Sequence, residues 1–334
     1  MCFKPMDGIM FHEITAQNAV EYLKANRFLD SNETATAEAL AWGVSNIVIR
    51  IHRGAGDDFV IKQSRAQLRT QAQWFSHLDR IWRELEVMQE LENLLPEGVV
   101  PRVLFEDREN YLFAMEAIDK QHQVWKGVLL DGKYDLNVAF ELGDYLSAIH
   151  RQSFLNEKYQ TQWGDWKIFD QLRIDPFYRF IVKAHPEIKS WVDDLIEEMS
   201  EHRICLVLAD FSPKNILITE RGIHLVDFET AHFGDPAFDL GFFLSHLLLK
   251  AVYFQQQGDD CIRLAEYFWE QYLSNDSPLP TDDISHTHKM EKQELGRRTI
   301  RHLAACLLAR VDGKSTVDYL TNPLMQDQVR SFAL

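Results

Sequence analysis

Cysteine is scarce in this chain, with 4 in 334 residues, at Cys2, Cys205, Cys261 and Cys306. They are scattered and form no Cys-x-x-Cys pair. A disulfide framework is therefore excluded as an organising device, and a reducing compartment such as the cytoplasm is expected. Cys205 and Cys306 sit in apolar patterns and read as core thiols. Long apolar runs are missing too. The greasiest stretch, Leu240 to Phe254, is broken by Ser245, His246 and Lys250. It falls short of the roughly 20 residues that a membrane helix needs, so a buried helix is expected. Met1 to Met10 carries Lys4 and Asp7 and lacks the apolar core of a signal peptide. Basic residues are outnumbered, 35 against 51 acidic, for a formal charge of −16. That balance argues against nucleic acid and against anionic membranes as partners. It serves solubility, or it steers a cationic substrate. Repeats and low-complexity tracts are absent.

What is present describes an ordinary globular chain, with 46% hydrophobic and 26% charged residues. The length favours two lobes over one core. Asn46 to Ile51 (NIVIRI) and Phe59 to Gln63 (FVIKQ) read as strands joined by a hairpin turn, RGAGDD. Leu78, Ile81, Trp82, Leu85, Met88 and Leu91 recur at helical spacing, and Pro96 and Gly98 end that helix. Val99 to Phe105 and Tyr111 to Met115 read as two more strands. From about residue 137 the pattern turns helical. Stripes run over Phe140–His150, Trp191–Met199, Phe238–Leu249, Ile262–Leu273 and Thr299–Leu308. A short hairpin, Ile216–Thr219 with Ile223–Asp227, interrupts them. The expectation is an α+β fold with a β-sheet lobe over residues 1–116 and a larger helical lobe over 117–334, connected near Glu116 to His122.

The strongest chemical signal is Asp210-Phe-Ser-Pro-Lys-Asn215, followed by Ile223-His-Leu-Val-Asp227-Phe-Glu229. Phosphoryl transfer needs a group that takes or orients the hydroxyl proton, and oxygen ligands for magnesium. An Asp with an Asn five residues on, then a second Asp after a hairpin, has the spacing of a kinase catalytic loop and its metal site. Asx residues also cap turns, and that is the ordinary reading of either part alone. Val60 and Lys62 share one face of the second strand by period-2 alternation. Val60 could cover an adenine while Lys62 reaches phosphates. Glu84 lies beside the apolar stripe of the following helix and is the expected partner of Lys62; an isolated Lys would instead be a solvated charge. Gly43, Ser45 and Asn46 precede the first strand in a tight turn that could donate to phosphate oxygens, although G-x-G-x-x-G is absent. Arg310 sits near the end of a late helix stopped by Gly313. It either completes that helix end or faces the cleft to bind substrate or the transferring phosphate. His286 and His288, in the polar stretch SHTHK, read as a solvated loop rather than a metal site.

These motifs resemble the aminoglycoside phosphotransferase and choline kinase superfamily, especially members near methylthioribose kinase. The resemblance rests on Leu208-Ala-Asp-Phe-Ser-Pro-Lys-Asn-Ile-Leu-Ile, Val226-Asp-Phe-Glu and Gly234-Asp-Pro-Ala-Phe-Asp-Leu, and runs from about Leu40 onward. It implies a bilobal protein-kinase-like fold, ATP and Mg2+ as cofactors, and a small-molecule hydroxyl as acceptor. It implies Asp210 as catalytic base, Asn215 and Asp227 as magnesium ligands with Glu229 assisting, and Lys62–Glu84 as the phosphate anchor. Met115 to Ile118 would be the hinge, with the Glu116 carbonyl and the Ile118 amide on the adenine edge. Asp239 would fasten the catalytic loop. Three departures stand out: Leu208 replaces the family's His two residues before the Asp, Asp227-Phe-Glu229 stands where protein kinases carry Asp-Phe-Gly, and Ser212 stands where they carry a loop Lys, with Lys214 given no catalytic role. The acceptor stays open among amino alcohols, aminoglycosides and sugars such as methylthioribose. The main rival is a nucleotide-binding pseudokinase. A protein kinase fits poorly, since Ala-Pro-Glu and an activation loop are missing.

Overall fold

Alternation along the first strands decides how the sheet is covered. In β3 (Phe59–Ser64), Phe59 and Ile61 point to one side, and Val60 and Lys62 to the other. Phe59 and Ile61 join Ile47, Ile49 and Ile51 of β2 (Asn46–Arg53) in an apolar cluster with Ala19 and Leu23 of α1 (Ala19–Ala25). The opposite face meets α2 (Arg80–Leu94), whose Ile81, Leu85 and Met88 pack with Phe113. The sheet is thus closed on both faces, and Lys62 is held between sheet and helix. The computed structural model describes residues 12–40, 46–65, 77–274 and 286–334.

The sheet has five antiparallel strands in the order β1-β2-β3-β5-β4, with β1 at Ala35–Ala39, β4 at Val103–Asp107 and β5 at Leu112–Glu116. Gly56, with φ of +87°, makes the β2–β3 turn that a side chain would strain. The fourth strand starts later than its valines suggest. Pro101 cannot donate to a ladder, and the Val99 carbonyl instead accepts from Leu225 N at 2.7 Å. Similarly β9 (Gly222–Leu225) stops before Asp227, whose φ of +74° breaks extended structure. It pairs with β8 (Ile216–Thr219), which also takes β6 (Gln123–Val124) as a neighbour. A two-stranded piece, β7 (Cys205–Val207) with β10 (His232–Gly234), lies too short for any periodic signal.

The rest is helical. The helix Pro236–Phe254 is capped by the Asp235 carboxylate, which accepts from Ala237 N, and buries most of its side chains. It is the described helix long and apolar enough to cross a membrane, and 72% of that stretch is buried inside the protein. Its neighbour is the long helix His286–Asp312. At Gly241 the two approach so closely that a Cβ would sit 2.7 Å from both His302 Cβ and Leu303 N. One apolar core runs from α2 through Trp125, Leu142 and Phe211 to Phe243 and Phe268. Each such side chain contributes roughly 1.5–3 kcal/mol on burial. His286 and His288 open the long helix, so the loop expected there is helical backbone. Cys205, Cys261 and Cys306 are buried free thiols.

Candidate active site

The site is assembled where β3, α2 and the β8–β9 hairpin meet. Lys62 Nζ stands 2.6 Å from Glu84 Oε1 and 2.8 Å from Asp227 Oδ1. Alternation explains why Lys62 points here, and the helix stripe explains why Glu84 rather than Glu86 faces inward. Glu86 instead accepts from Gln162 and Trp163 at the other edge of α2. Glu84 Oε1 also accepts weakly from Phe228 N at 3.4 Å. Glu84 Oε2 is buried without a hydrogen-bond partner among the described residues.

Burial opposes charge on all three groups; the ion chain overrides it for Lys62 and Asp227 but not for Glu84. For Lys62, burial would lower the ammonium's pKa, but Asp227 and Glu84 raise it well above the ordinary value. For Asp227, burial pushes upward, yet Lys62 and then Lys214 hold the carboxyl down at about 2. For Glu84, burial dominates and lifts the carboxyl to about 7, against the pull of Lys62. A charged Lys62–Asp227 pair beside a carboxyl of raised pKa follows.

The loop that leads into Asp210 is fastened from beneath. Leu208 N donates to Asp239 Oδ2 and Ala209 N to Asp239 Oδ1, both at 2.7 Å. His150 Nε2 lies 3.2 Å from Asp239 Oδ2, and its Nδ1 lies 2.9 Å from Tyr272 Oη. Leu208 itself is buried in the core. The polar support that a His at that position would give therefore comes from another helix, Leu136–Gln152, which carries His150. Ala209 takes φ of +57°, and with Asp227 it makes a pair of left-handed non-glycine residues flanking the site. Such strain clusters at functional sites.

Asp210 is buried and heavily engaged. Asn215 Nδ2 donates to its Oδ2 at 2.9 Å and to its backbone carbonyl at 3.0 Å. That spends the Asn215 amide nitrogen and directs its carbonyl oxygen elsewhere. Arg173 Nη2 lies 2.7 Å from Asp210 Oδ1, and Lys214 Nζ 2.9 Å from Oδ2. Sequence reasoning missed Arg173, which arrives from a π-helical segment, Asp170–Arg179, that contains Pro176. It also gave Lys214 no part, although Lys214 stands only four residues beyond Asp210 and pairs with it. Asp210, Asn215 and Asp227 line one small cavity.

Other expected residues are placed differently. Asn46 is not a turn donor: it opens β2, and its Nδ2 donates to Glu229 Oε2 at 2.9 Å. The same Glu229 oxygen pairs with Arg80 Nε at 3.0 Å, so Glu229 is held by a fully buried arginine that the sequence did not single out. Even so, one oxygen each of Glu84, Asp227 and Glu229 lies within 4.8 Å of the others, a donor set of the hard, oxygen-only kind that suits magnesium. Val60 is buried opposite Met115 of β5. The Glu116 side chain turns to Arg102 at 2.5 Å, and the Ile118 carbonyl accepts from Arg50 Nη1 at 2.7 Å. Arg50 thereby clamps the segment that follows the sheet. Gly43 and Ser45 lie outside the described residues. Arg310 serves the helix end, with Nη1 donating to the Ser315 carbonyl at 2.6 Å, and its guanidinium also stands 5.8 Å from the Phe177 ring.

The description of a phosphotransferase enzyme family, APH, matches residues 36–282. The chain belongs to that family. Among curated family relatives, the methylthioribose kinase of Pectobacterium atrosepticum is 25% identical over 269 residues, covering 72% of this chain and 67% of that protein. The methylthioribose kinase of Yersinia pestis (strain Pestoides F) is 25% identical over 268 residues, 72% and 65% of the two chains. The matched region spans about two thirds of the length of these relatives. A choline kinase from Cryptosporidium parvum shares the fold over 96% of this chain and 94% of its own, with a TM-score of 0.55 and 12% identity. Aminoglycoside 2'-phosphotransferase-IIIa, solved as a GDP complex, covers 96% of each chain with a TM-score of 0.51 and 12% identity. The fold is the bilobal, kinase-like α+β architecture. The family is one of small-molecule kinases and phosphotransferases, and this chain carries its architecture.

Proposed function

We propose that this protein transfers the γ-phosphate of ATP to a hydroxyl of a small molecule. The observation that carries the reading is the ion chain Glu84–Lys62–Asp227 beside Asp210 and Asn215. Lys62 would hold the nucleotide's phosphates, kept charged by two carboxylates. Val60 would cover the adenine, and the Glu116 carbonyl and Ile118 amide would meet its edge. Asn215 and Asp227, with Glu229 near them, are the residues that would hold magnesium. When bound, that ion neutralises the phosphates and aligns them for in-line displacement.

Asp210 has the remaining task. The acceptor oxygen forms its bond to the γ-phosphorus, the bridge to the β-phosphate breaks, ADP leaves, and Asp210 takes the hydroxyl proton. The left-handed Ala209 and the two backbone bonds to Asp239 fix Asp210 in place, so orientation is set before the acceptor arrives. A role limited to nucleotide binding is disfavoured by the same loop. Its missing His is compensated by Asp239 and His150, and a binding module has no use for a fastened base. The buried free thiols fit a cytoplasmic setting.

The test is magnesium-dependent ADP release over amino alcohols, aminoglycosides and ribose derivatives, with Asp227→Ala beside the wild type. Release that needs an acceptor and vanishes in the variant is expected. ATP binding with no release on any acceptor would favour the pseudokinase.

A further inference from the structure

Although the chain is acidic overall, the surroundings of Asp210 on the helical side are basic. Arg173 and Arg310 approach the same aromatic ring, 5.7 and 5.8 Å from the Phe177 centroid. Lys214 reaches Asp210 from within the loop. Behind them, the helix Pro236–Phe254 contributes two buried nitrogen bases. Lys250 Nζ bonds only its own helix among the described contacts, donating to the His246 carbonyl at 3.1 Å, and stands 5.3 Å from the Tyr319 ring. His246 packs on Phe242, with its Nε2 buried and without a partner.

The acids do not balance these cations. Asp210 and Asp318 are the carboxylates that act most on Arg310 and Lys250. Asp210 is already matched by Arg173 and Lys214, and Asp318 by Lys126 at 2.9 Å. Burial, aided by Lys126 and Arg310 and opposed by Cys261 and Asp318, lowers the Lys250 ammonium to about 7. Two polar atoms of partly exposed side chains also lack partners here: Arg310 Nε and Tyr319 Oη. Buried donors without acceptors are costly, and are retained where a ligand supplies the acceptor.

We propose that the acceptor carries an anionic group, a carboxylate or a phosphate monoester, alongside its reactive hydroxyl, and that Arg310, Lys214 and Tyr319 receive it. This rests on the kinase reading above and narrows it, since a cationic amino alcohol would meet like charge. Arginine's planar fork suits either oxyanion, and a tyrosine hydroxyl adds a neutral donor. Lys250 stands behind them, beside the neutral His246, as a buried amine without an acid partner, which an arriving anion would supply. The overall negative charge then repels an anion at long range, and the local cluster captures it at contact.

The experiment is calorimetric titration of the full chain, loaded with magnesium and ADP, with matched pairs of acceptor-like probes. The pairs are D-glycerate against glycerol, D-gluconate against D-glucose, and D-ribose 5-phosphate against D-ribose, with choline as the cation. In at least one pair the acid binds about tenfold or more tightly than its neutral partner. The pairs that respond distinguish carboxylate from phosphate. Arg310→Met abolishes that preference while ADP affinity is kept. Tyr319→Phe, which keeps the ring and so the packing, weakens the acid by a few-fold on loss of one hydrogen bond. Equal binding within every pair, no detectable binding of any acid, or choline binding tighter than all acids overturns the proposal. Failure of ADP itself to bind would instead sink the kinase reading.

Discussion

The two sides of Asp210 differ in how charge is balanced. On the sheet side, each buried cation faces acids: Lys62 meets Glu84 and Asp227, and Arg80 meets Glu229. On the helical side, Lys250 and Arg310 have only carbonyls, a hydroxyl and aromatic rings as described partners. A balanced cluster is a structure that holds together before any ligand comes. An unbalanced one keeps electrostatic capacity in reserve for what it binds. The difference teaches that net charge over a chain says little about the field inside its cleft.

The comparison is broken most severely by removing an acid from the balanced side. Asp227→Ala should abolish magnesium-dependent turnover, read as ADP release, while leaving the buried Lys62 and the exposed Lys214 less well matched. Next comes Lys62→Met. It strips the shared partner from the buried Glu84 and the half-buried Asp227, and breaking a buried pair costs about 3–5 kcal/mol. Urea unfolding at neutral pH measures it. An unchanged midpoint would show that the ion chain holds nothing together.

The mirror-image substitution sharpens the contrast. Lys250→Met has similar volume and removes a buried amine whose charged form lacks an acid partner. It should stabilise the protein by about 1 kcal/mol at pH 7, opposite in sign to Lys62→Met. The pH dependence follows from linkage. Lys250 has a folded pKa lowered to about 7 from 10.5. Between those values the unfolded chain binds the proton and the folded chain does not, so wild-type stability rises with pH across that window. The gain from Lys250→Met should therefore shrink from pH 7 toward pH 10.5.

A smaller effect comes from neutral buried histidines. Burial lowers His232 and His302 to about 3 from 6.5. The unfolded chain takes up protons first as pH falls, so stability declines from about pH 6.5 toward 3. His302→Gln should flatten that decline, as followed by thermal melts across the range.

Much of the sheet side was legible in the sequence. Period-2 alternation set the direction of Lys62, helical spacing placed Glu84, and Asp210, Asn215 and Asp227 lie within one short stretch. Errors there were local: Pro101 delayed β4, and Asn46 bonded Glu229 instead of facing a turn. The helical side was largely illegible. Its residues sit far apart in the chain: Arg173 and Arg310 meet at the Phe177 ring, and Lys250 meets the Tyr319 ring, only once the helices pack. Arg80 and His150 were hidden for a related reason. A buried charge inside an amphipathic helix looks like any polar residue until its distant partner, Glu229 or Asp239, is placed beside it. Arg310 alone crossed that gap, as one of two readings of a helix end.

The most direct test of the account is a comparison of Asp210→Asn with the wild type, measuring ATP affinity and single-turnover phosphate transfer to an accepted substrate. ATP binding within a few-fold of wild type, with transfer slowed by at least about 100-fold, is the predicted result. Transfer at the wild-type rate would contradict the assignment of Asp210 as the base, and with it the mechanism built on this loop.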